Sequence, residues 1–102
     1  MTGFAIIVDF RLKPGSRSAF RRLIDTNART SAQVERGCRR FDVVEPRDEA
    51  DRVLLYEIYD DDVAFEAHVK SAHYVQFDAE SAPLIVDKSV IRCDLVCEGT
   101  AS

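Results

Sequence analysis

Glycine is scarce in this chain and lies scattered. Four glycines in 102 residues never gather into a loop that could cradle phosphates, and no dinucleotide or flavin motif is present. Any redox chemistry is therefore expected to run without a cofactor. Cysteine numbers three, at Cys38, Cys93 and Cys97. An odd count with no CxxC pair argues against a disulfide framework and against a structural zinc site. No apolar run is long enough to span a bilayer. Positive charge is also in deficit, with a net charge of −4 and a pI near 5.1. Arg17, Arg21, Arg22, Arg29, Arg36, Arg39 and Arg40 gather in one half of the chain. They alternate with acids and polar helix positions, the pattern of a solvated face rather than of a nucleic-acid patch. Met1 to Leu12 has neither a basic leader region nor a small-residue cleavage site. The expectation is a cytoplasmic protein with free thiols and no membrane or nucleic-acid partner.

What the chain does contain is an ordinary soluble balance, 46% hydrophobic and 31% charged, at a length that makes one domain over residues 1–102. Phe4 to Leu12 reads as a strand, ended by Lys13-Pro14-Gly15. Ser16 is an expected N-cap for a helix over residues 18–36, whose apolar stripe runs Phe20, Leu23, Ile24, Ala28. Gly37 is expected to end that helix as a C-terminal glycine. Cys38 to Glu45 and Arg52 to Tyr59 are two further strands around a polar turn. Asp60-Asp61-Asp62 offers a cap and first-turn acids to a helix from Val63 to Lys70. After a bend, a second helical piece runs from Ser71 to Ser81 and stops at Ala82-Pro83. Ile85 to Cys97 is the last strand, and residues 98–102 are expected to be a frayed tail. The order strand, helix, strand, strand, helix, strand is the split βαβ arrangement of an α+β, ferredoxin-like fold.

Phe65 to Tyr74 holds both histidines, His68 and His73. Five positions on one straight helix turn through about 140°, so the two rings share a site only if the chain bends near Ser71. Histidine titrates near neutrality and can remove a proton from a phenol, an enol or an alcohol beside a carbonyl. Glu57, on an otherwise apolar strand, could orient such a base. Asn27 continues the buried stripe of the first helix together with Ser31; it either bonds a backbone carbonyl in the core or lines a cavity and donates to an oxyanion. Tyr56, Tyr59, Phe65, Tyr74 and Phe77 would wall a flat organic substrate, although core packing also explains aromatics. Either histidine could equally cap or pack at a helix end. A metal would need a carboxylate beside the two histidines, from Glu57 or Asp42; nothing in the spacing requires one, and no metal is expected. Cys38 reads as packing.

Two helical segments cover one face of a four-stranded sheet. The other face should then alternate polar and apolar. Phe4 to Val8, Val53 to Tyr56, and Val90, Ile91, Leu95 and Val96 are apolar on both faces. A second copy, sheet against sheet, is the expected cover, making a homodimer.

Gly37-Cys38-Arg39-Arg40-Phe41-Asp42-Val43, Tyr56-Glu57-Ile58-Tyr59-Asp60-Asp61, Ala64-Phe65-Glu66-Ala67-His68, and then His73 and Phe77, together resemble the antibiotic biosynthesis monooxygenase family over nearly the whole chain. The resemblance implies a dimeric α+β barrel of ferredoxin-like subunits. Within the family the sequence is most similar to small bacterial quinol monooxygenases and to the isomerase that processes phosphorylated autoinducer-2. Haem-degrading members use a tryptophan where His68 falls and a histidine ligand where Asp78 falls. This chain has no tryptophan, so haem degradation is not expected.

Three functions are open at this point. One is a cofactor-independent monooxygenase of a small aromatic quinol, with His68 or His73 as base, Asn27 holding the anion, and Tyr56, Glu57, Tyr59, Phe65 and Phe77 around the substrate. A second is an isomerase of a hydroxy-ketone sugar phosphate, needing Arg40 or Lys70 as a phosphate anchor. The third is a non-catalytic small-molecule-binding dimer.

Overall fold

The computed structural model describes residues 3–99. Four strands, β1 (Gly3–Leu12), β2 (Cys38–Val44), β3 (Arg52–Tyr59) and β4 (Ile85–Leu95), form one antiparallel sheet in the order β2-β3-β1-β4. Helix α1 (Arg17–Val34) connects β1 to β2, and α2 (Asp62–Val69) and α3 (Ala72–Ser81) connect β3 to β4. This is the expected α+β, ferredoxin-like topology. Among the described residues no helix is long and apolar enough to cross a membrane.

Strand pairing decides which side chains meet the helices. Ile6 pairs with Glu57 and Arg92, Val8 with Leu55 and Val90, and Phe10 with Val53 and Lys88; Phe41 on β2 joins the row of Glu57. Because successive strand residues point to opposite faces, these rows form the helix side. Phe20 and Ile24 of α1 and Phe77 of α3 close onto them. The rings of Phe10, Phe20 and Phe77 contact one another with centroids 4.8 to 6.3 Å apart. Phe20 is fully buried, so its truncation to alanine would cost about 3–5 kcal/mol.

Local signals held in some places and failed in others. Asp61 caps α2, accepting from the Ala64 N–H at 2.8 Å. The chain breaks between α2 and α3 at the expected bend. There Ser71 Oγ donates to the His68 carbonyl at 2.6 Å and accepts from the Tyr74 N–H. Ser16 precedes α1 but makes no side-chain cap, because its own backbone is helical rather than extended. Gly37 does not end α1 in a left-handed conformation; positive φ occurs, among the described residues, only at Gly15. Glu35, extended at φ −89° and ψ 117°, ends the helix instead. Gly37 is needed for space, since a Cβ there would lie 2.4 Å from the Ala64 Cβ. Strand β4 ends at Leu95, two residues earlier than expected. Of the expected tail 98–102, Glu98 and Gly99 share a shallow depression with Tyr56, Ile58 and Arg40, and residues 100–102 lie outside the described residues.

The sheet face away from the helices has no covering element among the described residues. Tyr56, Ile7 and Ile91 are paired neighbours across it, and Ile91 is 55% exposed. Charged residues flank this row, including the Arg52–Asp9 pair at 2.6 Å.

Gly37→Ala is expected to lower unfolding free energy by about 1–3 kcal/mol, because the added methyl must push α2 off the start of β2. Denaturant unfolding monitored by circular dichroism measures it. An unchanged midpoint would show that the Gly37–Ala64 contact is slack.

Candidate active site

Between the helix side of the sheet and α2 and α3 lies a cavity of about 240 Å³. Ile6, Val8, Leu55 and Glu57 make its floor; Phe65, His68, Tyr74 and Phe77 make its roof; Asn27 enters from α1, and Lys88 and Arg92 stand on the β4 side. The walls are largely apolar, with Asn27, Glu57, Glu66, His68 and the two cations as the charged or amide-bearing lining groups, the composition of a small-molecule site.

His68 is the most constrained of these groups. Its ring is almost wholly buried and packs against Phe41, Tyr59, Phe65 and Tyr74 at centroid distances of 5.1 to 6.2 Å. Nδ1 lies 2.8 Å from Glu35 Oε2 and 3.4 Å from Ser31 Oγ. His73 brings its Nε2 to the same Glu35 oxygen. Burial lowers the His68 pKa, against the opposing hydrogen bond and charge of Glu35. The ring is therefore neutral at pH 7. With the Nδ1–H donated to Glu35, the lone pair lies on Nε2, and His68 is among the residues that line the cavity.

Glu57 is the second titratable group of the cavity. Its pKa is pushed up to about 7 by burial, which outweighs the hydrogen bond from Tyr59 and the charge of Lys88. The Tyr59 hydroxyl donates to Glu57 Oε1 at 2.6 Å. Asn27 is buried and its Oδ1 has no hydrogen-bond partner. Such a group costs about 1–3 kcal/mol when left alone. Its position in the cavity lining favours the ligand-facing alternative over a bond to a core carbonyl. Burial, with the charges of Glu35 and Glu57, pushes the Cys38 thiol up to about 12, which makes it a packing residue rather than a nucleophile.

Of the expected site residues, Asn27, Glu57, Phe65, His68 and Phe77 line the cavity. Tyr59 is fully buried and does not line the cavity; it touches lining residues, donating to Glu57 and packing against His68 and Phe65. Two placements need correction. Tyr56 points to the open sheet face, because strand alternation sends it opposite Glu57 and pairs it with Ile7. His73 does not line this cavity; it holds Glu35 and lines a neighbouring, more polar depression with Thr26, Gln76 and Glu80, which shares Asn27 and Phe77 with the cavity. Asp42 is likewise on the open face, held by Arg40 at 2.6 Å. Arg40 and Lys70 do not line the cavity, and Lys88 and Arg92 do.

Glu35 was the residue missed. One signal pointed to it: Asn27, Ser31 and Glu35 are spaced by four, so the polar edge of the α1 stripe reaches Glu35 in one further turn. Lys88 and Arg92 gave no signal, because the face of an edge strand is set by register rather than by composition.

Comparison with known proteins agrees with the fold. The family model for antibiotic biosynthesis monooxygenases matches residues 3–80. A Mycobacterium tuberculosis protein named as a candidate monooxygenase, Rv0793, is 36% identical over 81 residues, covering 79% of this chain and 78% of that protein. Its solved structure superposes with a TM-score of 0.79 at 32% identity, over 98% of this chain and 99% of that one. A candidate antibiotic biosynthesis monooxygenase from Nitrosomonas europaea has a TM-score of 0.86 at 26% identity, over 89% of this chain and 88% of that one.

Glu57 has a signature in stability. Its carboxyl takes up a proton near pH 7 when folded but only near 4.5 when unfolded. Between those values the folded state binds more protons, so stability falls as pH rises, by about 3 kcal/mol in all. Glu57→Gln should remove this slope and be more stable than the parent at pH 8 but not at pH 4. Parallel unfolding curves for the two proteins across pH 4–8 would contradict the assignment.

Proposed function

The chain belongs to the antibiotic biosynthesis monooxygenase family, and we propose that it oxygenates a small aromatic quinol without a cofactor. Family membership supports a monooxygenase-type reaction on a small molecule. The observation that carries the finer reading is the neutral His68 ring, backed by Glu35 and lining a largely apolar cavity. A volume of about 240 Å³ suits a small ring system, being below the roughly 300 Å³ at which drug-sized sites begin.

In this mechanism His68 Nε2 takes a phenolic proton from the quinol, and the Glu35 carboxylate stabilises the imidazolium that forms. The Asn27 amide N–H donates to the phenolate oxygen. The phenolate passes one electron to dioxygen, and the resulting superoxide and semiquinone radical join through a new bond from ring carbon to oxygen. The peroxide anion so formed takes back the proton held by His68 and becomes a hydroperoxide. Protonated Glu57 gives its proton to the departing hydroxide, which leaves as water, and the Glu57 carboxylate takes up the proton that the ring carbon releases as it becomes a carbonyl. Quinol plus dioxygen thus yields hydroxyquinone plus water. Phe65 and Phe77 hold the ring plane, and Tyr59 steadies Glu57.

The exposed row of Tyr56, Ile7 and Ile91 supports a homodimer in which a second sheet covers the first. One observation favours a second reading. Lys88 and Arg92 beside the cavity are suited to a phosphate, as an isomerase of a hydroxy-ketone sugar phosphate would require, with His68 moving the proton.

Oxygen uptake with a panel of quinols should exceed the uncatalysed rate. His68→Gln should lower kcat by about 10²–10⁴-fold, with Glu35→Gln in the same direction. Solvent deuterium entering a sugar phosphate with no oxygen uptake would favour the isomerase. Neither activity, with ligand binding unchanged in His68→Gln, would leave a binding protein. Sedimentation should give a dimer, and Ile91→Lys should shift it towards monomer; a monomeric parent would remove the covered-face argument.

A further inference from the structure

Five residues separate His68 from His73, and the break at Lys70 and Ser71 between α2 and α3 turns both rings onto one carboxylate. His68 Nδ1, His73 Nε2 and a Glu35 oxygen all lie within 4.8 Å of one another. Two imidazoles press on a single oxygen, Oε2, while Glu35 Oε1 is buried with no hydrogen-bond partner. A hydrogen-bonded triad alone leaves that oxygen unexplained. A cation held by both carboxylate oxygens and by the two ring nitrogens would use it.

We propose that Glu35, His68 and His73 bind a divalent transition-metal ion of the zinc class, and that a metal bound there switches off the base facing the cavity. Metal–ligand bonds of about 2.0–2.2 Å set donor atoms of different residues roughly 3 Å apart or more. The present 2.8 Å between His68 Nδ1 and Glu35 Oε2 needs only a small outward shift of the carboxylate. Two imidazoles and one carboxylate select zinc, iron(II), cobalt(II) or nickel(II) over magnesium and calcium, which prefer all-oxygen cages. Entry is from the depression beside half-buried His73. Ser31 Oγ and Ser71 Oγ stand 3.4 and 3.2 Å from the two nitrogens in the metal-free protein, contacts that a metal taking both lone pairs would replace.

The switch follows from the imidazole ring itself. A metal on Nδ1 takes the lone pair there, so the proton that Nδ1 carried passes through solvent to Nε2. Likewise His73 carries its proton on Nδ1 once Nε2 is a ligand. No net proton is lost from the His68 ring. His68 then carries an N–H at Nε2 instead of a lone pair and cannot accept a substrate proton. This second half rests on the proton-abstraction reading; the binding site itself does not.

The experiment uses the full chain, freed of metal with a chelator and dialysed. Calorimetric titration with zinc chloride should give one ion per chain, magnesium chloride should give no heat, and cobalt chloride should give a visible absorption band of mixed nitrogen and oxygen ligation. His73→Ala and Glu35→Gln should each weaken zinc binding by at least about tenfold, whereas Glu80→Gln, on the same depression, should not. No zinc binding by the parent protein, or equal binding by all three variants, overturns the site. With a quinol substrate in hand, filling the site should abolish oxygen uptake and a chelator should restore it. Zinc that binds stoichiometrically and leaves uptake intact overturns the switch. Zinc binding in a protein that oxidises no quinol upholds the site while the oxygenase reading fails.

Discussion

A carboxylate largely withdrawn from water must be compensated, and in this molecule the group is Glu35. Its neighbours are the two imidazoles. A lone buried charge would cost several kcal/mol, so α1 must end where it does and α2 must break from α3 where it does for both rings to arrive. The extended backbone at Glu35, the Ser71 turn and the glycine at position 37 that lets α2 approach all serve this one junction. The same contact fixes the His68 tautomer, with the proton on Nδ1 and the lone pair on Nε2.

Across the cavity, Glu57 is set up in the opposite sense. Burial raises its pKa and lowers that of His68, so each environment disfavours the charged form. A neutral base and a partly protonated acid therefore coexist at neutral pH in one apolar space. Such a pair suits a reaction that removes a proton at one step and returns one at another. Strand register makes this arrangement possible, since Glu57 lies in the row of Phe41 and Ile6 while Tyr56, one residue earlier, lies on the opposite face.

Periodicity and turn chemistry carried the fold. The apolar stripe of α1, the aspartate cap of α2, the bend at Ser71 and the order of the elements are all local properties of the chain, and all were legible in it. Asn27, Glu57, Phe65, His68 and Phe77, which line the cavity, stand out in the sequence because each breaks or completes a local pattern: a polar residue on a buried stripe, an acid in an apolar strand, a histidine among aromatics. Tyr56 was misplaced because an aromatic strand residue gives no sign of which face it takes until its partner is known.

What the sequence alone determined is the architecture and the chemical types available to the cavity, because helix and strand periods are written in neighbouring residues. Only the tertiary structure decided that Glu35 rather than Glu57 supports His68, that His73 lines the neighbouring depression rather than the cavity, and that Lys88 and Arg92 guard the cavity. Those facts depend on contacts spanning some 33 to 38 residues and on cross-strand register. Neither is encoded in any short stretch of chain; both come from the way the whole sheet and its helices pack.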